Sequence, residues 1–280
     1  MGLSDLVNTV VCGDCLQVMS EWPSSSVRLV VTDPPYGVGY HSNHYKDRNP
    51  HAPITNDWNF QIGQFFQECS RVLVDGGAAY VFCRWDVYPI WAPYIAPAKL
   101  KLKTAIVWLK DNWSAGDLRG SFGNQYELIL FLAKGRHEIR GKRWPNVWSF
   151  PRVSHTKLLH PAQKPVELLE RAILASSDAG DVVADPMCGS GSTGEACRLT
   201  NRQFLLADCD PAAVSIAANR LGLSVPDAME SRVSDAPQSL AMDEASWAMY
   251  GVHPEDISTL VRHMAATEQP DRQLPLFQTA

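Results

Sequence analysis

"DVVADPMCGSGSTGEAC", residues 181–197, is the stretch whose reading decides the fold. It begins as a short apolar strand. Gly189-Ser190-Gly191-Ser192-Thr193-Gly194 then fits G-x-G-x-x-G, and the residues behind it open a helix. Asp208 lies 19 residues after Gly189, at the end of the next apolar run, "RQFLLADCD" (202–210). Strand, glycine turn, helix and an acid on the next strand tip form a layout suited to an adenine nucleoside. The glycines let backbone approach the ligand, and the acid accepts hydrogen bonds from ribose hydroxyls.

The spacing bears on which nucleoside. In a dinucleotide fingerprint the first glycine follows the strand directly, and pyrophosphate sits at the helix N-terminus. Here Asp185-Pro186-Met187-Cys188 intervenes. An acid at that strand tip is awkward beside pyrophosphate and suits a cationic ligand. S-adenosylmethionine has an ammonium, a sulfonium and a ribose, and no phosphate. A dinucleotide-dependent oxidoreductase built on the same loop stays open as the distant alternative.

Outward from the loop, short apolar runs alternate with helical periodicity. "SVRLVVTD" (26–33), "GAAYVFC" (77–83), "TAIVWLK" (104–110) and "YELILFLAK" (126–134) read as strands. "NFQIGQFFQECSRVL" (59–73) places Phe60, Phe65, Phe66, Cys69 and Leu73 at helical spacing, with Asp75-Gly76-Gly77 as its stop. "PVELLERAILASS" (165–177), "TGEACRLT" (193–200) and "PAAVSIAANRLG" (211–222) read as helices, the first and last with proline at the start. Such alternation predicts an α/β domain over 1–224, with a mixed, mostly parallel sheet and helices on both faces. Residues 225–280 change character, with nine acids against three basic residues. They read as an acidic, partly flexible appendage.

The net charge of −5 does not itself suggest nucleic acid, but the distribution does. Residues 99–171 carry 14 of the 25 Lys and Arg and only 6 of the 30 Asp and Glu. A basic middle in an acidic chain suits a phosphate-facing surface. No apolar run reaches the length that spans a bilayer, and "MGLSDLVNTV" lacks the features of a signal peptide, so a cytoplasmic protein is expected. The seven cysteines include one C-x-x-C, Cys12 to Cys15, and read as small buried hydrophobes in a reducing compartment. His41, His44 and His51 have no partner spacing that supports a metal site, and none is expected.

The second informative stretch is "VRLVVTDPPYGVGY", residues 27–40. Two prolines cannot continue a sheet ladder, because they donate no backbone hydrogen bond and fix φ. The strand therefore ends in a stiff turn that holds Asp33 and Tyr36.

Together, Asp33-Pro34-Pro35-Tyr36 and Asp185-Pro186-Met187-Cys188-Gly189-Ser190-Gly191 resemble the amino-methyltransferases of DNA, which act on adenine N6 or cytosine N4. "VCGDCL" (11–16), "ITND" (54–57), "VWLKDN" (107–112) and "HPAQKPVELLERAI" (160–173) agree with that family, and the resemblance covers roughly residues 8–223. The DPPY turn precedes the glycine loop, the permuted order called the beta class. Met187-Cys188 and Ser192 depart mildly from the usual pattern. The resemblance implies a Rossmann-like S-adenosylmethionine-dependent fold. It implies cofactor binding by Asp14, Lys164, Asp185, Pro186, Gly189, Ser190, Gly191 and Asp208.

It also implies roles for the turn. Asp33 and the Pro34 carbonyl accept the two N–H bonds of an exocyclic amino group, Pro35 stiffens the turn, and Tyr36 stacks on a base turned out of the duplex. Aspartate at the first position favours adenine; cytosine enzymes of the class more often carry serine. The target-recognition segment falls at about 134–158. There Lys134, Arg136, Arg140, Lys142, Arg143 and Trp144 are expected to meet double-stranded DNA. The loop 40–53 is expected to close over it. A homodimer, a restriction partner and a bacterial or phage origin are left open by the sequence, and a binding module without catalysis is opposed by the intact Asp33, Tyr36, Asp185 and Asp208.

Overall fold

The computed structural model describes residues 2–36, 60–113, 119–120, 122–154, 159 and 163–224. All lie in one compact unit, Met1–Arg232. The loop 40–53 with its three histidines, "ITND", and the appendage 225–280 lie outside the described residues.

The chain runs α1 (Leu3–Leu6), β1 (Thr9–Cys12), α2 (Cys15–Glu21), β2 (Val27–Thr32), α3 (Ile62–Val72), β3 (Leu73–Cys83), α4 (Tyr88–Ile95), β4 (Lys101–Leu109), β5 (Tyr126–Ala133), β6 (Val147–Ser149), α5 (Val166–Ser176), β7 (Val182–Asp185), α6 (Ser192–Leu199), β8 (Gln203–Asp208) and α7 (Pro211–Arg220). The eight strands form one sheet in the order β1-β8-β7-β2-β3-β5-β4-β6. β5 alone runs against its neighbours, pairing antiparallel with both β3 and β4. The mixed, mostly parallel sheet expected from the sequence is present.

Both faces are covered, which explains why the central strands are continuously apolar rather than alternating. Side chains still divide with period two. Ala79, Val81, Leu130 and Leu132 join Phe65, Phe66 and Trp91 from α3 and α4. Ala78, Tyr80, Phe82, Ile129 and Phe131 join Leu168, Leu169, Ala172 and Ile173 from α5, with Ala196 and Val214 from α6 and α7. Helix α3 ends at Val72 rather than in the glycines. Asp75-Gly76-Gly77 instead belongs to β3, where the register against β2 slips between Val27 and Leu29 and Gly76 takes φ 74°. The helix itself stops where Leu73 turns extended, and the glycines form a bulge in the strand that follows.

The strand order positions the site. From β7 the chain crosses by α6 to β8 on one side; from β2 it crosses by α3 to β3 on the other. α3 and α6 pack on opposite faces. β7 and β2 are neighbours, so the connections leaving them diverge and open a crevice at their carboxyl ends. Ligands bind at such switch points in open α/β sheets. The glycine loop leaves one of these two strands and the DPPY turn the other.

Candidate active site

The register pairs Val30 with Ala184, which brings Val31 level with Asp185 and ends the two strands side by side, with Thr32 one residue further on. Motifs far apart in the chain are therefore adjacent in the fold.

On the β7 side, Asp185 is 5 % exposed and turned into the loop it precedes. Its Oδ2 accepts from the Thr193 hydroxyl at 2.6 Å, and its Oδ1 from the Met187 amide at 3.2 Å. Burial pushes its pKa up to about 7; Thr193, Thr32 and the Met187 amide oppose the rise, and Asp208 adds to it. Thr32 acts there without a well-formed hydrogen bond, its Oγ1 being buried and unpaired. Gly189 and Gly191 take φ 49° and 75°, which a residue with a Cβ adopts at a cost. The Gly189 amide donates to Asp208 Oδ2 at 2.8 Å, and the Asp210 amide to Oδ1 at 3.0 Å. A Cβ on Gly194 would stand 2.7 Å from Leu206 and Leu221, so that glycine lets α6 lie close on β8. Arg220 braces the loop from α7, ion-paired with Glu195 and donating to Ser192 Oγ at 3.0 Å and to the Ser190 carbonyl at 3.3 Å. Pro186 and Ser190 are buried beneath it.

On the β2 side, Pro34 is buried, and Asp33, Pro35 and Tyr36 are half-buried. The Tyr36 hydroxyl donates to Asp33 Oδ1 at 2.6 Å, and Lys164 Nζ donates to Oδ2. The Tyr36 ring sits 6.0 Å from Trp91. Burial, then the Asp33 and Glu127 charges, raise its phenol well above the ordinary value, so it stays a donor. Lys164 also pairs with Glu127 at 3.4 Å, and Lys110 with Glu127 at 3.2 Å. The two ammoniums lie 4.8 Å from the Phe82 and Trp108 rings respectively. Burial alone would lower the Lys164 pKa, but Asp33 and Glu127 outweigh it and the net shift is upward. Burial alone would raise that of Glu127, but the two lysines bring it below the usual carboxylate range.

Several expected site residues fall elsewhere. Lys164 is on the Asp33 carboxylate rather than in the cofactor loop. Asp14 caps α2, accepting from the Leu16 and Gln17 amides at 3.0 and 3.2 Å; it still borders the cofactor side, because the Gly13 amide donates to the Asp208 carbonyl. Lys134 is turned inward, donating at 2.6 Å to the Ser70 and Leu73 carbonyls at the end of α3. Because β5 is antiparallel, its last residue lies at the opposite end of the sheet from Asp33. Arg136 and Arg140 share that far end, where they line a cavity of about 400 Å³ with Arg28, Asp75 and Glu138. Lys142, Arg143 and Trp144 are exposed at the outer edge ahead of β6, with Lys142 over the Trp144 ring. After β6 the chain returns to the catalytic end, where the Arg152 amide donates to Asp111.

Sequence reasoning missed Glu127 and Lys110. The available signal was a lone acid opening the apolar strand "YELILFLA". All seven cysteines are free. Burial raises the Cys15 and Cys209 thiols to about 12 and about 11, leaving them unreactive near neutral pH.

A sheet of this order, with an acid–Pro–Pro–Tyr turn beside a glycine loop, defines a class. A family model described as DNA methylase, of the N6/N4 methyltransferases, matches residues 27–219, and the chain belongs to that family. It is similar to the DNA adenine methyltransferase YhdJ of Escherichia coli, 29 % identical over 77 % of this chain and 83 % of the relative. It is also similar to the type II methyltransferase M.HpaI of Haemophilus parainfluenzae, 26 % identical over 83 % of this chain and 80 % of the relative. Among solved structures, the M1.HpyAVI–SAM complex superposes with TM-score 0.61 at 20 % identity, covering 77 % of this chain and 99 % of that one. The cytosine-N4-specific PvuII DNA methyltransferase gives 0.62 at 16 % identity, covering 75 % and 85 %. Among the described residues, no helix is long and apolar enough to cross a membrane.

Proposed function

We propose that this DNA methyltransferase transfers a methyl group from S-adenosylmethionine to N6 of adenine in double-stranded DNA. One observation carries the reading. The Asp33 carboxylate, paired with Lys164, stands at the tip of the strand next to the one that ends in Asp185 and the glycine loop.

The residues present fit the cofactor. The groups acting on Asp185 are two hydroxyls, an amide and another acid, so a buried carboxyl waits with no cation on it. A ligand ammonium or sulfonium relieves that, whereas a pyrophosphate would aggravate it, which disfavours the dinucleotide alternative. Gly189 and Gly191 shape the approach, and Asp208, whose Oδ2 accepts from the Gly189 amide, faces the loop from β8, where we assign it to the ribose hydroxyls. When bound, the cofactor supplies an electrophilic methyl group on sulfur.

The chain supplies the rest. An exocyclic amino group is a weak nucleophile because its lone pair is delocalised into the ring. Asp33 and the Pro34 carbonyl each accept one of its N–H bonds and draw it toward tetrahedral geometry. The carboxylate then stabilises the positive charge that develops on nitrogen. The Pro-Pro turn fixes these acceptors in advance. The base leaves the duplex, because the amino group is out of reach while paired, and the Tyr36 ring stacks on it. Arg152, at the catalytic end, and Lys142, Arg143 and Trp144, along the outer edge, are the side chains we assign to DNA.

Aspartate at position 33 supports adenine. The relatives carry both specificities in their names, YhdJ for adenine and PvuII for cytosine N4. Purified protein, unmethylated DNA and S-adenosylmethionine, followed by digestion and mass spectrometry of the nucleosides, tests the reading. N6-methyladenine is expected. N4-methylcytosine would keep the mechanism and overturn the base assignment.

A further inference from the structure

The two oxygens of Asp33 are held differently. Oδ2 meets an ammonium whose side chain is 12 % exposed and which Glu127 Oε2 faces at 3.4 Å as an ion pair without a well-formed hydrogen bond. Oδ1 meets a neutral phenol from its own turn. Both bonds end on a carboxylate and are charge-assisted, but only the one at Oδ2 is also an ion pair. The ammonium is also fixed from more directions. Asp33 follows β2, Glu127 opens β5, Lys110 follows β4 and Lys164 precedes α5, so four separate parts of the chain converge on an alternating row of two acids and two lysines. The Phe82 ring closes one side of Lys164.

We propose that Lys164, itself set by Glu127 and Lys110, is a positioning residue that anchors Asp33 through Oδ2 and leaves Oδ1 as the oxygen that receives the substrate amino group. The inference rests on the function proposed above. A role for Lys164 in holding cofactor does not fit, because its Nζ is already engaged by two carboxylates. A role in stability alone is a weak account, because replacing buried ion pairs by apolar side chains is often neutral or stabilising. An anchored carboxylate has a use in catalysis. Its free lone pairs point one way before the base arrives, and small misplacement of a reacting group costs about 100-fold in rate.

The test uses the full-length protein and three variants: Lys164→Met, Lys164→Arg, and Lys164→Met combined with Glu127→Gln. The double variant removes one acid and one lysine from the row, leaving Asp33 and Lys110 with no net charge between them, and guards against misfolding of the single one. At saturating cofactor and DNA, Lys164→Met should lower kcat about 100-fold while the calorimetric Kd for S-adenosylmethionine stays within about twofold, and Lys164→Arg should recover about tenfold. The double variant should fold and stay as slow as Lys164→Met. In crystals of either Met variant the Asp33 carboxylate should turn away from its original plane or spread over several. Unchanged kcat, loss of cofactor affinity in step with kcat, or an Asp33 carboxylate that keeps its orientation would each overturn the inference. A wild-type protein that methylates no DNA would overturn the proposed function instead, and the crystallographic comparison would still decide the role of Lys164.

Discussion

Asp33 and Asp185 end neighbouring strands, yet their surroundings are opposite. Asp33 is half-exposed and ion-paired, inside a row of alternating charges. Asp185 is buried among neutral donors, and its pKa rises to about 7. The function proposed above accounts for the difference by what each acid would meet. An acid that accepts an amino group must be charged and aimed beforehand, so the protein provides the counter-charge. An acid that awaits a cationic ligand gains by having no resident cation, because the ligand then relieves an electrostatic cost when it binds. On that proposal the two tips divide the labour of one reaction by the charge each lacks.

The largest test of this comparison is Asp33→Ala. It should reduce methyl transfer by about 10²- to 10³-fold, the usual effect of losing one preorganised group that stabilises transition-state charge. The Kd for S-adenosylmethionine, measured by calorimetry, should barely change, because the proposed cofactor site is at the other tip. Parallel loss of cofactor binding would mean that the two tips are not separate in function.

Most of this arrangement was legible in the sequence, and what was not has identifiable reasons. Both motifs announced themselves through backbone chemistry: prolines that end a strand and glycines at positive φ. The central strands and α3, α5, α6 and α7 were long enough to show their period. β1 and β6, with four and three residues, are too short for any period. α4 hides behind Pro89 and Pro93, which argue against a helix although the first falls in the tolerated opening turn. The DNA-facing reading of Lys134 failed for a different reason. A count of charges along a segment ignores direction, and an antiparallel strand carries its last lysine to the far end of the sheet, where it caps α3. The lone acid at Glu127 showed in the sequence, but its role did not, because its partners Lys110 and Lys164 come from distant parts of the chain.

The second test addresses the Asp185 side. A carboxyl whose folded pKa is raised holds its proton to higher pH than the unfolded chain does. Stability from this group is therefore full below its unfolded pKa near 3.8 and is lost as pH rises through about 7. Asp185→Asn, which mimics the protonated form, should match the wild type near pH 4 and become the more stable of the two above pH 7. The gap should approach on the order of 4 kcal/mol, read from thermal or urea unfolding without cofactor. The wild type should also release up to one proton on binding S-adenosylmethionine at pH 6 and almost none at pH 8, visible as a buffer-dependent binding enthalpy. A stability gap that does not vary with pH would show that Asp185 is already ionised in the folded protein, and the contrast between the tips would fall.

The smallest effect sharpens the Asp33 side. Tyr36→Phe removes the neutral donor from Oδ1 and keeps the ring. Losing a hydrogen bond to a charged group costs about 1.5–3 kcal/mol, so unfolding should shift measurably. The consequence for turnover depends on which partner Oδ1 serves. If the hydroxyl merely occupies that oxygen until the amino group arrives, the variant has one competitor fewer. KM for DNA should then hold or fall, and kcat should drop less than about fivefold, about 1 kcal/mol of barrier. If instead the hydroxyl keeps its grip on Asp33 during methyl transfer, its loss acts in the transition state alone, lowering kcat and kcat/KM together by 100-fold or more. The ring and the hydroxyl of Tyr36 have separate duties only in the first case: the ring meets the base, and the hydroxyl keeps the receiving oxygen in place until the base displaces it.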